Sequence, residues 1–248
     1  MMLKNIISLV GMSGIGKTTF AMSQNPSEYF HYSVDYIIGQ YLLKNDILCD
    51  ISSQITKNEL ISQLIKKNNI NLNANIKIKD LSLVSSFLSK FGSIKLGGLQ
   101  KDEFLRRQNL YAEAEKVATL HLYKIANKIF SLGYKYIIND LTGSICEIIN
   151  FDDPNDEILH FLKKTTIKYF STTQEYIQEL INRSQKSPKP LLYNKNFFLT
   201  ALENFKKHNK IEYENQIDPD QFCRYIFPIL ITNREKKYTN IASGLITN

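Results

Sequence analysis

Gly11, Gly16, Lys17 and Thr18 stand in the spacing G-x-x-x-x-G-K-[ST], the pattern of a phosphate-binding loop. The chemistry it points to is anion capture. Glycines let the backbone turn sharply, so that successive N–H groups converge on phosphate oxygens. Gly11, Ser13, Gly14, Ile15, Gly16, Lys17, Thr18 and Thr19 are therefore the expected nucleotide cradle. Lys17 is expected at the β- and γ-phosphates of ATP and the Thr18 hydroxyl on Mg²⁺. Two aspartates end apolar runs. Asp140 follows the run 135–139, as a Mg²⁺-holding carboxylate of such a site does. No Glu comes after it, so the Asp-Glu form of motor and AAA-type ATPases is absent. Asp35 ends the run 29–34. Its two compatible roles are a carboxylate near the loop, as acceptor binder or base, and an N-cap for the segment 36–43.

These residues need a sheet to hold them. The β-branched, apolar run 6–10 reads as a buried parallel strand. A helix is expected over 18–23, stopped by the Asn25-Pro26 pair, since proline cannot continue it. Further strands are expected at 29–34, 135–139 and 165–171, with a short last one at 245–247. A long helix is expected over 102–131. Its apolar stripe is Phe104, Tyr111, Ala114, Ala118, Leu122, Ile125 and Ile129, which matches a 3.6-residue period. Arg107 falls on that stripe, where a charge needs a partner. It either answers a buried carboxylate or reaches an anionic ligand, while Arg106 points to solvent. Ser144 and Glu147 form a capping box after the tight turn 142–144, and the helix start there is a second anion site if it binds one. Thr172 and Glu175 are expected to cap a helix over 173–184 that carries Arg183 near its end. Arg183 is then a candidate catalytic lid cation, with the helix C-terminus as its alternative reason. Further helices are expected over 197–208 and 219–231. Asp218 caps the second, Pro219 sits in its first position, and Pro228 should kink it.

The chain reads as a single domain over 1–248, with a helical insertion over 44–100 and a candidate lid over 173–196. Within the insertion, Thr56 and Glu59 form a capping box for a helix over 59–67, and Asp80 precedes another that ends near Gly92. Insertions of this length are usually covers or binding elements. With 248 residues, 43% of them hydrophobic, the chain can bury a sizeable core. No apolar run approaches the roughly 18 residues needed to cross a bilayer, and no secretory leader is read at the start. The three cysteines are far apart, which argues against zinc or a disulfide framework and for a reduced, cytoplasmic setting. The net charge of +7 comes largely from dispersed lysine pairs. That pattern suits an anionic small-molecule acceptor, and nucleic acid is not expected.

Two resemblances follow from these residues. Locally the chain resembles the shikimate kinase group of P-loop kinases. The matching pieces are the loop Gly11 to Lys17, Asp35, the turn 142–144, Pro190-Leu-Leu, and Arg234 with Tyr238 and Ala242. The chain departs from that group in having Ser33 before Asp35, a lone Gly143 in the turn, Lys189 before Pro190, and a longer insertion. The resemblance implies Asp35, Gly143, Ser144 and Arg234 as substrate positions, and the anionic-ligand alternative for Arg107 would add it to them. Over nearly its full length the chain is similar to a bacterial family described only as an ATPase and found in alphaproteobacteria. The matching stretches are 31–36, 97–99, 104–108, 139–140, 143–147, 188–193 and 217–220. That similarity implies nucleotide binding and triphosphate hydrolysis or transfer.

The expected fold is a three-layer α/β P-loop NTPase fold, with a mostly parallel sheet and helices on both faces. The expected function is ATP- and Mg²⁺-dependent phosphoryl transfer to a small molecule, or simple hydrolysis. The alternative is a nucleotide-switched ATPase that acts on a protein partner. No Asn-Lys-x-Asp guanine motif and no Leu-Ser-Gly-Gly-Gln signature occurs.

Overall fold

Ile6–Val10 form β1, and its side chains on both faces are almost wholly buried; an apolar, β-branched strand of this kind belongs in the middle of a sheet. The computed structural model describes residues 2–55 and 58–246. After β1 the chain runs through α1 (Lys17–Met22), β2 (Tyr29–Ser33) and α2 (Val34–Ile37). It continues through α3 (Lys44–Ile55), α4 (Glu59–Lys66), α5 (Ser82–Leu88) and α6 (Lys101–Ser131). Next come β3 (Tyr136–Asp140), α7 (Glu157–Lys163), β4 (Thr166–Tyr169), α8 (Gln174–Lys186), α9 (Lys195–Asn209) and α10 (Pro219–Ile246).

The fold is α/β. Its four-stranded sheet has the order β2-β3-β1-β4, and every pairing is parallel. Ile6 pairs with Ile137 and Leu9 with Asp140, while Ser33 also pairs with Asp140. This register brings the carboxyl ends of β1, β2 and β3 level with one another. Both faces are covered by helices. Leu9 and Ile138 pack with Ala21 and Phe20 of α1 on one side. Ile6, Val10 and Ile137 join the main core on the other, with Ala118, Leu122 and Ala126 of α6 and Phe161 and Leu162 of α7.

The insertion is built into this body. Ile47 of α3 and Val84, Phe87 and Leu88 of α5 share the main core with Ile38. Phe91, at its end, joins Phe104, Phe198 and Phe222 in a second, aromatic core beneath α9 and α10, with ring centroids 5.2–5.7 Å from Phe91.

Several expectations change. α4 is capped by Asn58, whose side chain accepts from the Ile61 amide; the expected cap Thr56 lies outside the described residues. The cap of α8 is Thr173, not Thr172. The segment after Ser144 makes only a short 3-10 turn, because the Ser144 hydroxyl donates to Glu115 instead of capping. α3 and α7 were not foreseen. α10 continues through Pro228 to Ile246, so Leu245 and Ile246 are helical where a strand was expected; Thr247 lies outside the described residues. Among the described residues no helix is long and apolar enough to cross a membrane.

Candidate functional site

The carboxyl ends of three parallel strands open on one side, and the loop after β1 lies there. Gly16 takes φ 96° just before α1, a left-handed conformation that residues with a Cβ avoid. Lys17 is the first residue of α1 and is buried. Its Nζ donates to the carbonyls of Gly11 at 2.8 Å and Met12 at 2.9 Å, across the mouth of the loop. Burial pulls its pKa down to about 8, against the opposing pull of Asp140 and Asp35.

Asp140, at the end of β3, lies directly below. The Thr18 hydroxyl donates to its Oδ2 at 2.8 Å, and His31 Nε2 of β2 lies 3.1 Å from the same oxygen. Among the described residues no group of three or more His, Cys, Asp or Glu could hold a metal alone. The adjacent oxygens of Thr18 and Asp140 nonetheless fit Mg²⁺, which takes one or two protein oxygens and completes its shell with phosphates and water.

Asp35 is the second residue of α2. It does not cap that helix; Ser33 does, accepting from the Tyr36 amide. Tyr111 of α6 donates its hydroxyl to Asp35 Oδ1 at 2.7 Å. Burial raises the Asp35 pKa above the ordinary carboxylate value, partly offset by Tyr111 and Lys17.

Three hollows meet at Ser13. A small one of about 190 Å³ lies over the loop, between Gly14, Lys17, Thr18, Asp35 and Gly143. A cavity of about 600 Å³ extends from it past Asp35 and Tyr111 to the serines of α5 and to Lys189. On the other flank a hollow of about 470 Å³ is lined by Gly14, Leu180, Arg183, Lys189 and Phe227. Tyr176 of α8 donates its hydroxyl to the Gly14 carbonyl at 2.5 Å and so ties α8 to the loop.

The turn 142–144 forms the wall opposite α1. A Cβ on Gly143 would run into the amide nitrogen and side chain of Ser13, so only glycine lets the two segments approach this closely. Behind the turn Glu115 of α6 is fully buried and accepts from Thr142 and, at 3.0 Å, from Ser144. Burial raises its pKa to about 8, although the Thr142 hydroxyl works the other way.

The structure thus brings Gly11 to Thr19, Asp35, Asp140, Gly143 and Ser144 together. It corrects two other residues. Arg107 is paired with Asp50 at 2.5 Å and Glu103 at 2.7 Å and also donates to the Phe87 carbonyl. Of the two alternatives left open, it answers carboxylates, because a guanidinium buried on an apolar stripe needs charged partners. Arg234 is also spent. It bonds Glu147 at 2.9 Å, the Gly143 carbonyl at 2.9 Å and the Leu192 carbonyl at 2.7 Å, and so clamps α10 to the turn and to the 190–193 segment. Arg183 reaches the flank of the loop, but it is 53% exposed and paired with Glu179 at 3.0 Å. In the 173–196 segment, Leu192 and Tyr193 are buried and the Gln108 side chain holds Leu191 and Tyr193; the stretch from Gln185 to Lys189 is mostly exposed. Tyr111, Glu115 and His31 were missed as site residues. Arg107, Tyr111 and Glu115 follow one another at four-residue steps along one face of α6, and polar groups in an apolar stripe were the available signal.

No protein family, curated protein or solved structure matched the chain in comparisons with each.

Proposed function

We propose that the chain has a three-layer P-loop NTPase fold, binds ATP with Mg²⁺ at residues 11–19, and transfers the γ-phosphoryl group to a hydroxyl of a small molecule. The carrying observation is the double position of Asp35. Its side chain lines both the hollow over the loop and the larger cavity beside it. A carboxylate shared by two adjoining hollows suits in-line transfer from one bound molecule to another.

In this reading the amides of 13–18 and Lys17 hold the phosphates. Thr18 and Asp140 would hold Mg²⁺, which neutralises charge on the phosphate oxygens. His31 orients the Asp140 carboxylate. The acceptor oxygen bonds to the γ-phosphorus, the bond from that phosphorus to the β–γ bridging oxygen breaks, and ADP leaves with the electron pair. Asp35 takes the acceptor's proton, and Tyr111 fixes the orientation of its carboxylate. The adenosine lies on the flank lined by Leu180, Phe227 and Arg183.

The test is Asp35→Asn, which keeps shape but cannot take a proton. Acceptor-dependent turnover should fall by roughly 10²-fold or more, the scale of general-base catalysis, while ATP affinity changes far less. Unchanged turnover would remove the base from the mechanism. One observation favours the switch reading instead. Ile94 and Leu96 at the end of the insertion are 61% and 60% exposed around Lys95, an apolar tip that would suit a protein partner. Cytoplasmic residence remains part of the proposal, in keeping with three free cysteines, of which burial raises Cys146 to about 12 and Cys223 to about 11.

A further inference from the structure

The larger cavity can be read for the kind of molecule it takes. Its volume of about 600 Å³ falls within the roughly 300–1,000 Å³ usual for small-molecule sites. An anionic acceptor would need a cation fixed within it. Arg234, which reaches its wall, is 2% exposed, its charge is answered by the buried Glu147, and each guanidinium nitrogen already makes one hydrogen bond, to Glu147 or to a backbone carbonyl. Arg107 is absent from the lining and is held by Asp50 and Glu103. Lys17 faces the smaller hollow over the loop. The remaining cations are Lys79 and Lys189, both exposed at the rim, where water screens them. An acceptor carboxylate would also meet Asp35 on the wall.

The wall is rich in hydroxyls instead. Ser82, Ser85 and Ser86 of α5 line the cavity together with Tyr111, Thr142 and Ser144, which give their own hydroxyl protons to Asp35 and Glu115 and keep oxygen lone pairs to accept with. Hydroxyls both donate and accept, as the alcohols of a polyol do, and recognition by hydrogen bonds alone rejects analogues that lack a matching group.

We propose that the phosphoryl acceptor is a neutral polyhydroxylated molecule, a sugar, cyclitol or nucleoside, read by the serines of α5 across from the turn 142–144. This rests on the phosphotransferase reading and narrows it. It also gives the insertion a function: α5 is the specificity element, brought to the site by the packing of Val84, Phe87 and Leu88 into the main core.

The experiment uses the full chain and two measurements. Calorimetric titration with Mg²⁺ and a non-hydrolysable ATP analogue first establishes nucleotide binding. ADP release from ATP is then followed with neutral probes (pyranoses, furanoses, cyclitols and ribonucleosides) and with carboxylated counterparts such as hexuronates, gluconate and shikimate. Neutral probes are expected to raise ADP release at least about tenfold, with a phosphorylated product, and Ser86→Ala is expected to raise the acceptor KM several-fold with kcat retained, the mark of a uniform binding contact. Ser86 is exposed, so the substitution should not disturb folding. Turnover with the carboxylated probes alone, or with none, in a protein that binds the analogue overturns the acceptor class and leaves the nucleotide site standing. Failure to bind the analogue overturns the reading of the site and this proposal together.

Discussion

Glu115 is a carboxyl whose chemistry is strongly altered by its surroundings. It is fully buried behind the turn 142–144, with Asp35, Arg234, Tyr111 and Tyr238 as its charged or titratable neighbours. Its ordinary value is 4.5 and burial raises it to about 8. Across that window the folded protein keeps a proton that the unfolded chain releases, so unfolding releases protons and stability falls as pH rises. Burial moves Asp35 in the same direction, adding to the slope at the acid end. Glu115→Gln keeps the size of the side chain and cannot ionise. Thermal melts from pH 5 to 8 should show wild-type stability declining and the variant's declining less, with the gap widening toward pH 8; parallel curves would mean that Glu115 does not hold its proton. At this scale the sequence was legible where one residue type answers one need. The spacing of Gly11, Gly16, Lys17 and Thr18 and the strand-end positions of Asp35 and Asp140 fall together in space. Arg107 and Arg234 were misassigned because a charge that looks free along the chain can be neutralised from far away: Asp50 lies 57 residues from Arg107 and Glu147 lies 87 from Arg234. Glu103, four residues before Arg107, is the one local sign of such pairing.

Among the elements, the turn after β3 and helix α10 depend on each other. The turn has the shape its glycine permits and stays in place because Arg234 grips its Gly143 carbonyl, Glu147 and Leu192 together. Removing the guanidinium leaves the buried Glu147 with Lys237 alone, at 2.6 Å. A buried ion pair broken on one side costs about 3–5 kcal/mol, and the Lys237 contact should hold the loss near the lower end. Arg234→Ala is therefore expected to destabilise the protein by about 3 kcal/mol in urea unfolding, whereas a loss below 1 kcal/mol would show that the clamp is dispensable. Elements with a strong period or a clear cap were readable: α6, α9 and the start of α10 at Asp218 and Pro219 appear within a few residues of expectation. Two helices were not. α3 and α7 carry few signals of their own and are fixed by tertiary burial of Ile47, Ile158 and Leu162. Leu245 and Ile246 belong to a run that is β-prone in isolation, yet they continue a helix whose buried side, Tyr238, Ile241 and Ala242, has already set its course.

For the whole molecule, the order β2-β3-β1-β4 is what turns scattered residues into one site. Placing β3 between β1 and β2 brings Asp140 beside Thr18 and His31, and the parallel register makes their strand ends level. Alternating apolar strands and helices announced the α/β class. The strand order and the path of the insertion depended on long-range packing, and neither could be read from periodicity. The proposed nucleotide site depends on the loop 11–19 holding phosphates through Lys17. Its most direct measurement is calorimetric titration of Mg²⁺–ATP analogue into wild-type protein and folded Lys17→Ala, compared at pH 7. A hydrogen-bonded charge contributes about 1.5–3 kcal/mol, so the variant should bind roughly 10- to 100-fold more weakly. Wild-type protein should itself lose affinity as pH rises through about 8, where the Lys17 ammonium gives up its proton. Equal affinity in the two proteins, with no change across that pH range, would contradict the claim.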